Sequence, residues 1–241
     1  MEEALYEYLH EIEDRHWWFR GRRAVIRSLL GRVDLPQQAR ILDAGCGTGR
    51  NLQEYAALGR AQGVEPSQTA VDFCREQGLD VTCAGLEEMP FEEGAFDLVC
   101  ASDVLEHIED EAGALRELRR VVAPGGHFVA TVPAYEWMWS HHDQRHHHVR
   151  RYTRRRLLRA VDGGSWQPVL ATYFNTLLLP PIAAVRAAQR LRPAPARTDY
   201  ELTPRALGMA LELPMRVEAR LIAAGVRLPA GLSVGLVCRA A

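Results

Sequence analysis

The chain contains no lysine; all 29 of its Lys+Arg side chains are arginine. That absence excludes a phosphate-binding P-loop, whose lysine reaches the β- and γ-phosphates. Cysteine is sparse too. The five cysteines are Cys46, Cys74, Cys83, Cys100 and Cys238, and no two form a Cys-x-x-Cys pair. Such spacing argues against a disulfide framework or a cysteine zinc ribbon, and the thiols read as reduced, mostly buried groups of a cytoplasmic protein. No apolar run precedes Trp17, so a signal peptide is not expected. With 47% apolar residues in 241, the composition supports one domain with additions.

Charge is unevenly placed. Residues 1–140 hold 25 acids and 13 arginines, a balance of −12, and residues 141–241 hold 6 acids and 16 arginines, a balance of +10. Two differently solvated faces would account for this. So would a second half that meets an anionic substrate or surface.

The stretch that organises the chain is Ile41-Leu42-Asp43-Ala44-Gly45-Cys46-Gly47-Thr48-Gly49. An apolar run meets an acid, glycine follows at every second position, and a helix is expected from Asn51 to Leu58. Glycine there admits positive φ and close approach of backbone to a ligand. A dinucleotide fingerprint needs Gly-x-Gly-x-x-Gly. Its third glycine would fall on Arg50 counted from Gly45, or on Leu52 counted from Gly47. An acid before the turn also repels a pyrophosphate, whereas it suits a ligand carrying an amine and a sulfonium. The plainer alternative is an ordinary glycine-rich turn between strand and helix. The segment resembles motif I of the class I S-adenosylmethionine-dependent methyltransferases, acid-x-Gly-x-Gly-x-Gly. That resemblance implies S-adenosylmethionine as cofactor, with contacts at Asp43, Gly45, Cys46, Gly47 and Gly49.

Strands are expected at 40–43, 61–65, 81–84, 96–102 and 127–132, with helices between them at 68–77 and 111–122. Alternation at this spacing means a parallel sheet with helices on both faces and ligands at the carboxyl ends of the strands. The family resemblance sharpens this to an α/β, Rossmann-like, seven-stranded and mostly parallel sheet. It makes the last strand, 232–238, the antiparallel hairpin partner of a sixth at 169–174. Glu65 follows Asp43 by 22 residues, the offset at which an acid takes ribose hydroxyls in a nucleotide-binding βαβ unit. The alternative is an acid stabilised at a helix N-terminus beside Pro66. Around Gly85-Leu86-Glu87 the chain resembles the family's adenine contact, but Gly85 stands where an aspartate is common. This leaves the Leu86 amide or Glu87 for adenine. The segment that Ser102 closes resembles the family's fourth strand, which ends near the transferable methyl group, and His107 is a general base or a residue that fixes the loop.

At the N-terminus, residues 2–14 read as an amphipathic helix, followed by His16-Trp17-Trp18-Phe19-Arg20-Gly21-Arg22-Arg23 and a second helix through Leu30. Trp18 can cover the cofactor pocket, or the aromatics can anchor the helices. By resemblance, Arg20 or Arg23 binds the methionine carboxylate. We expect a helical cap at 1–38 and a methyltransferase domain at 39–241. Within that domain an acceptor-site insert spans about 134–160 and lid helices about 176–225.

The insert is basic and histidine-rich. Five histidines and seven arginines fall between 141 and 159. A histidine there can deprotonate a hydroxyl, the run can be a solvated loop over the cleft, or His142, Asp143 and a later histidine can hold a divalent ion. Two histidines at i and i+4 with a glutamate between them are absent, and no metal is assigned. Thr153 can cap the helix that follows, 154–161. The segment resembles bacterial methyltransferases linked to glycan, lipid-linked-sugar or natural-product pathways. That resemblance points to His142, Asp143, His147, Arg150, Arg151 and Tyr152 at the acceptor. His142, Asp143, His147 and His107 are the catalytic candidates. Arginine forks favour an anionic acceptor. The basic run is short and its aromatics do not interleave as a stacking platform, which disfavours nucleic acid.

Residues 163–185 carry no charge over 23 positions. Length suggests a membrane span, but Pro168, Gln167, Asn175, Pro180 and Pro181 argue for a strand and then an apolar helix at 181–192. That helix lies on a bilayer surface or covers the acceptor pocket. Residues 193–203 read as a loop, and 204–224 as a helix broken at Pro214. The expected activity is methyl transfer by in-line displacement to a small-molecule or lipid-linked acceptor, on oxygen. The alternatives are a non-catalytic cofactor-binding subunit and a methyltransferase-fold enzyme running another reaction, such as cyclisation.

Overall fold

Ile41, Leu42 and Ala44 are fully buried, because their strand, β1 (Ala39–Ala44), lies near the middle of the sheet with neighbours on both edges. A computed structural model describes residues 3–162, 166–191 and 204–241. β2 (Gly59–Glu65) and β4 (Phe96–Ser102) flank β1 in parallel, β3 (Val81–Cys83) extends the β2 edge, and β5 (Val122–Pro133) lies beyond β4. β6 (Trp166–Phe174) and β7 (Ser233–Ala240) pair antiparallel, as the hairpin expectation requires. β7 inserts between β5 and β6, antiparallel to both, so the order is β3-β2-β1-β4-β5-β7-β6.

The helices are α1 (Glu3–Ile12), α2 (Trp17–Leu30), α3 (Arg50–Tyr55), α4 (Gln68–Glu76), α5 (Glu111–Val121), α6 (His141–Arg145), α7 (Arg154–Val161), α8 (Leu179–Leu191) and α9 (Arg205–Ala223). Thr153 caps α7, its hydroxyl accepting from the Arg156 amide at 3.1 Å. Three differences from the sequence reading have physical causes. β5 starts at Val122 rather than 127, because the register shifts between Phe96 and Leu98 and Pro124-Gly125-Gly126 are absorbed as an irregularity in the ladder. The short helix α6 was not expected; Ser140 and Asp143 build a capping box that starts it. α9 runs unbroken through Pro214. Met215 beside it is fully buried against α2, where a Cβ on Gly21 would fall 2.5 Å from the Met215 sulfur. Packing that close holds the helix despite the amide that proline lacks. The loop expected at 193–203 lies outside the described residues. Among the described residues no helix is long and apolar enough to cross a membrane.

The contact of α2 with the sheet is equally tight. A Cβ on Gly235 of β7 would meet Leu29 Cδ1 at 2.9 Å, and Leu29 is itself fully buried. Gly235→Ala should therefore cost about 1–3 kcal/mol by overpacking, and Leu29→Ala about 2–5 kcal/mol. Denaturant unfolding of the double variant should show it less destabilised than the sum by more than about 0.5 kcal/mol; simple additivity would contradict this packing.

Candidate active site

The glycine loop leaves β1 at its carboxyl end. Gly45 and Cys46 donate their amides to the Val64 carbonyl at 2.8 and 3.2 Å, and Gly45, Gly47 and Gly49 take φ of 73°, 54° and 86°. The three glycines serve different needs. A Cβ on Gly45 would strike Val104 at 2.7 Å, and one on Gly49 would strike Leu79 at 2.5 Å, whereas a Cβ on Gly47 would meet nothing within 4 Å. Gly45 and Gly49 therefore permit close packing, and Gly47 presents open backbone. That open face borders a cavity of about 420 Å3 that Gly45, Cys46, Gly47, Ser102, Trp18 and Arg23 help to line, within the usual size of small-molecule sites. Gly49 lies outside the lining and begins α3.

Asp43 is buried directly beneath the loop, and its Oδ2 has no hydrogen-bond partner among the described residues. Burial pushes its carboxyl up to about 7, Arg22 opposing and Glu65 adding to the rise. Glu65, expected on ribose, ends β2 and is also buried. Its carboxylate accepts from the Gly47 amide at 3.0 Å, the Ser67 amide at 3.1 Å and the Tyr6 hydroxyl at 3.0 Å. Burial, then the Glu65 charge, raise the Tyr6 phenol well above its ordinary range. Tyr6 belongs to α1, which also stacks His10 on Phe73 at 4.8 Å between ring centroids. α1 thus closes the edge of the cavity where adenosine is expected. Glu65 lies behind Tyr6. Leu86 is buried in the core, Pro66 and Glu87 are exposed, and none of these four lines the cavity.

The arginine expectation needs correcting. Arg20 points away, to Glu212 at 3.2 Å. Arg23 reaches the cavity wall, but its guanidinium already meets Glu54 at 3.3 Å and the Glu13 carbonyl at 2.9 Å. Arg22, which sequence reasoning passed over, also lines the cavity and pairs with Asp103. Positions 20 and 22 are two apart, so a helix turns them to different sides. Thr48 Oγ donates to Glu13 at 2.6 Å, which ties the loop to the N-terminal segment. Asp43 is buried behind the loop and does not itself line the cavity. An open glycine face and acids beside arginines fit a ligand with an ammonium, a sulfonium and a carboxylate, as S-adenosylmethionine has.

At the far end of the same cavity stand His107 and His142, with His146, His148 and Glu106. Burial, with neighbouring histidine charge, lowers His107 to about 4, His142 to about 3 and His146 to about 2. These rings are neutral near pH 7. Two catalytic expectations change. Asp143 does not line the cavity; it is fully buried and accepts from the Ser140 amide at 2.8 Å, His148 Nδ1 at 2.8 Å, and Arg151 Nε and Nη2 at 2.7 and 3.0 Å. Burial raises its carboxyl, but the bonds from His148 and Arg151 outweigh that and hold it well below the usual range. Asp143 is ionised and positions its neighbours. His147 has φ of 54°, is exposed and lies outside the cavity lining, because a residue between two inward rings is turned out to solvent. Arg150 binds the carbonyls of Ile108 and Glu109, and Tyr152 binds Glu111 and the Leu105 carbonyl. Both fasten the insert to the segment after β4 rather than face the cavity.

Asn175, just past β6, was also missed. It has φ of 60°, lines the cavity, and neither amide atom has a partner among the described residues. A strained, buried, unsatisfied amide of this kind marks a place for ligand contact. Nothing in the local sequence distinguishes it.

Residues 42–130 match the methyltransferase domain family. A ubiquinone biosynthesis O-methyltransferase of Methylocella silvestris is 34% identical over 136 residues, 52% of this chain and 50% of that protein. The chain spans about half the length of this relative or less of the others it matches first. Among solved structures, a Haloferax volcanii chain in complex with the Trm112 methyltransferase activator aligns with TM-score 0.65 at 18% identity, covering 99% of this chain and 96% of that one. Geranyl diphosphate C-methyltransferase of Streptomyces coelicolor, solved with Mg2+, geranyl diphosphate and S-adenosylhomocysteine, aligns with TM-score 0.60 at 18% identity over 90% and 78%. At these identities the likeness is one of fold.

The raised Asp43 carboxyl makes a testable claim about pH. Its folded value of about 7 exceeds the ordinary 3.8, so the neutral form stabilises the fold fully below about pH 4. That stability is lost as pH rises toward 7, at up to about 1.4 kcal/mol per pH unit. Asp43→Asn should flatten this slope in urea unfolding of the ligand-free protein; parallel curves for the two proteins would contradict it.

Proposed function

We propose that this chain is a class I S-adenosylmethionine-dependent methyltransferase and that it methylates a hydroxyl of a small or lipid-linked, anionic acceptor. One observation carries the reading: a single cavity runs from the glycine loop to the histidine cluster, so cofactor and acceptor ends would share one continuous space. When bound, S-adenosylmethionine supplies an activated methyl group on a sulfonium sulfur. The chain's own part is alignment and exclusion of water, because a nucleophile held about 3 Å from its target gains most of the rate available from proximity. Asp103 and Glu106, on the cavity wall, favour the cationic end of the cofactor. Arg22 and Arg23 suit its carboxylate, and Glu65 its ribose hydroxyls once Tyr6 gives way.

The acceptor end is built from unlike walls. Trp17, Met138, Ile182 and Val185 are apolar, while Arg186 of α8 and Asn175 add polar contact. An apolar body with an anionic group fits this combination, since arginine forks bind phosphate or carboxylate. α8 is proposed as the lid over that end and residues 1–38 as a cap over the cofactor end. α9, expected as a second lid helix, packs against α2 and contributes nothing to the cavity wall among the described residues. His107, neutral and inside the cavity, is placed to relay the hydroxyl proton to water.

Incubating the protein with methyl-labelled cofactor and cell lipid and polar extracts should give a labelled product in the lipid or anionic polar fraction. Cofactor binding without product in any extract would favour a non-catalytic subunit. Calorimetry with S-adenosylhomocysteine provides a finer test. Glu65→Ala should lose at least tenfold in affinity, and Tyr6→Phe should gain about three- to tenfold by removing a hydrogen bond that competes for the same carboxylate. Weaker binding by Tyr6→Phe would mean that Tyr6 assists the cofactor instead.

A further inference from the structure

The histidine cluster has a geometry that acid–base chemistry does not require. His142 lies on α6 and His146 caps its C-terminal end, four residues apart and so on one face of the helix. Their ring centroids are 4.2 Å apart, and those of His148 lie 5.7 and 5.9 Å from them. One ligand atom from each of the three falls within 4.8 Å of the others. Three nitrogens on a tetrahedral ion stand about 3.3 Å apart, each about 2.0 Å from the centre, so small ring rotations would bring them together.

The surroundings of His148 are those of a metal ligand. Its Nδ1 lies 2.8 Å from Asp143 Oδ1. Arg151 donates to both oxygens of Asp143 and keeps that side chain an acceptor, so Nδ1 carries the hydrogen and Nε2 is the atom left for a ligand. Metal-bound histidines typically donate their second nitrogen to a carboxylate in this way. Arg151 grips that carboxylate through two nitrogens and fixes its direction.

A second wall faces the cluster. Glu106, almost fully buried, has an Oε2 without a hydrogen-bond partner among the described residues. Glu106, His107 and His148 bring ligand atoms within the same 4.8 Å limit. The two walls are tied where the Val149 amide donates to the Glu106 carbonyl at 2.8 Å. A buried carboxylate oxygen left open beside a set of imidazoles is what a cation would satisfy.

The geometry points to a three-histidine site, His142, His146 and His148, for a divalent first-row metal ion, zinc above all, with Asp143 as its positioning residue and Glu106 beside the open position. Imidazole donors suit zinc and its neighbours rather than magnesium or calcium. Three protein ligands with an open fourth position are the arrangement of reactive rather than structural sites. Both the cluster and the glycine loop border one cavity, so the open position faces the acceptor. The site itself stands on the histidines alone. Its role rests on the methyl-transfer reading: the ion binds the acceptor hydroxyl and lowers its pKa, as it does for water. The hydroxyl proton leaves to water. The oxygen lone pair then forms the bond to the methyl carbon, and the carbon–sulfur bond breaks with its electron pair remaining on sulfur.

The test uses untagged full-length protein, stripped with a chelator and titrated with cobalt(II) and then zinc(II). We expect one cobalt ion per chain with the intense visible absorption of tetrahedral coordination, displaced by one zinc. His142→Ala and His148→Ala should each weaken zinc binding at least 100-fold. The volume-keeping His142→Gln guards against misfolding. Asp143→Asn should weaken zinc about 10- to 100-fold, and all variants should bind S-adenosylhomocysteine within threefold of the parent. No cobalt spectrum from protein that binds S-adenosylhomocysteine, or histidine variants with parental zinc affinity, would overturn the site. Zinc binding without S-adenosylhomocysteine binding would leave the site intact and remove the cofactor reading.

Discussion

One carboxylate holds the cofactor half of this protein together. Glu65 accepts from the amide of the glycine loop, the amide that follows its own strand and the phenol of the first helix. It thereby joins β1, β2, α4 and α1 at the carboxyl edge of the sheet. Each partner brings a donor, so the buried charge is compensated without a cation, which is the condition for keeping a carboxylate out of water. Gly47 can donate to it because positive φ turns its amide toward β2. The loop's open face follows from the same turn.

The proposed acceptor half repeats the principle with a different carboxylate. Asp143 gathers Ser140, His148 and Arg151, and the insert after β5 is shaped around it. The two halves meet in one cavity because both insertions leave the sheet from strand ends on the same side, the rule for open α/β sheets. Arg22 and Asp103 bridge them, one from α2 and one from the end of β4.

What could be read in the sequence was what depends on neighbours along the chain. Asp43 through Gly49 is legible because turn, strand end and helix start are encoded in consecutive residues, and Glu65 because one βαβ unit sets its offset. The cap at Thr153 came through for a like reason, whereas the pairing of β6 with β7, strands far apart in the sequence, was supplied by the family resemblance. Tyr6, Arg22, Glu106 and Asn175 did not, since only tertiary packing decides which of several similar side chains turns inward. His147 was misplaced by the same cause, standing between two inward residues. His146 is different: its spacing from His142 was present in the sequence and points to one helical face. Without the helix α6, which a capping box starts, that spacing had no meaning.

The ribose end of the proposed cofactor site is held shut by Tyr6 on Glu65. A crystal structure with S-adenosylhomocysteine tests this most directly. Ligand density along Gly45–Thr48, ribose hydroxyls on Glu65 and a displaced Tyr6 phenol are expected. Ligand bound elsewhere, or Tyr6 still on Glu65 beside a fully ordered ligand, would contradict this.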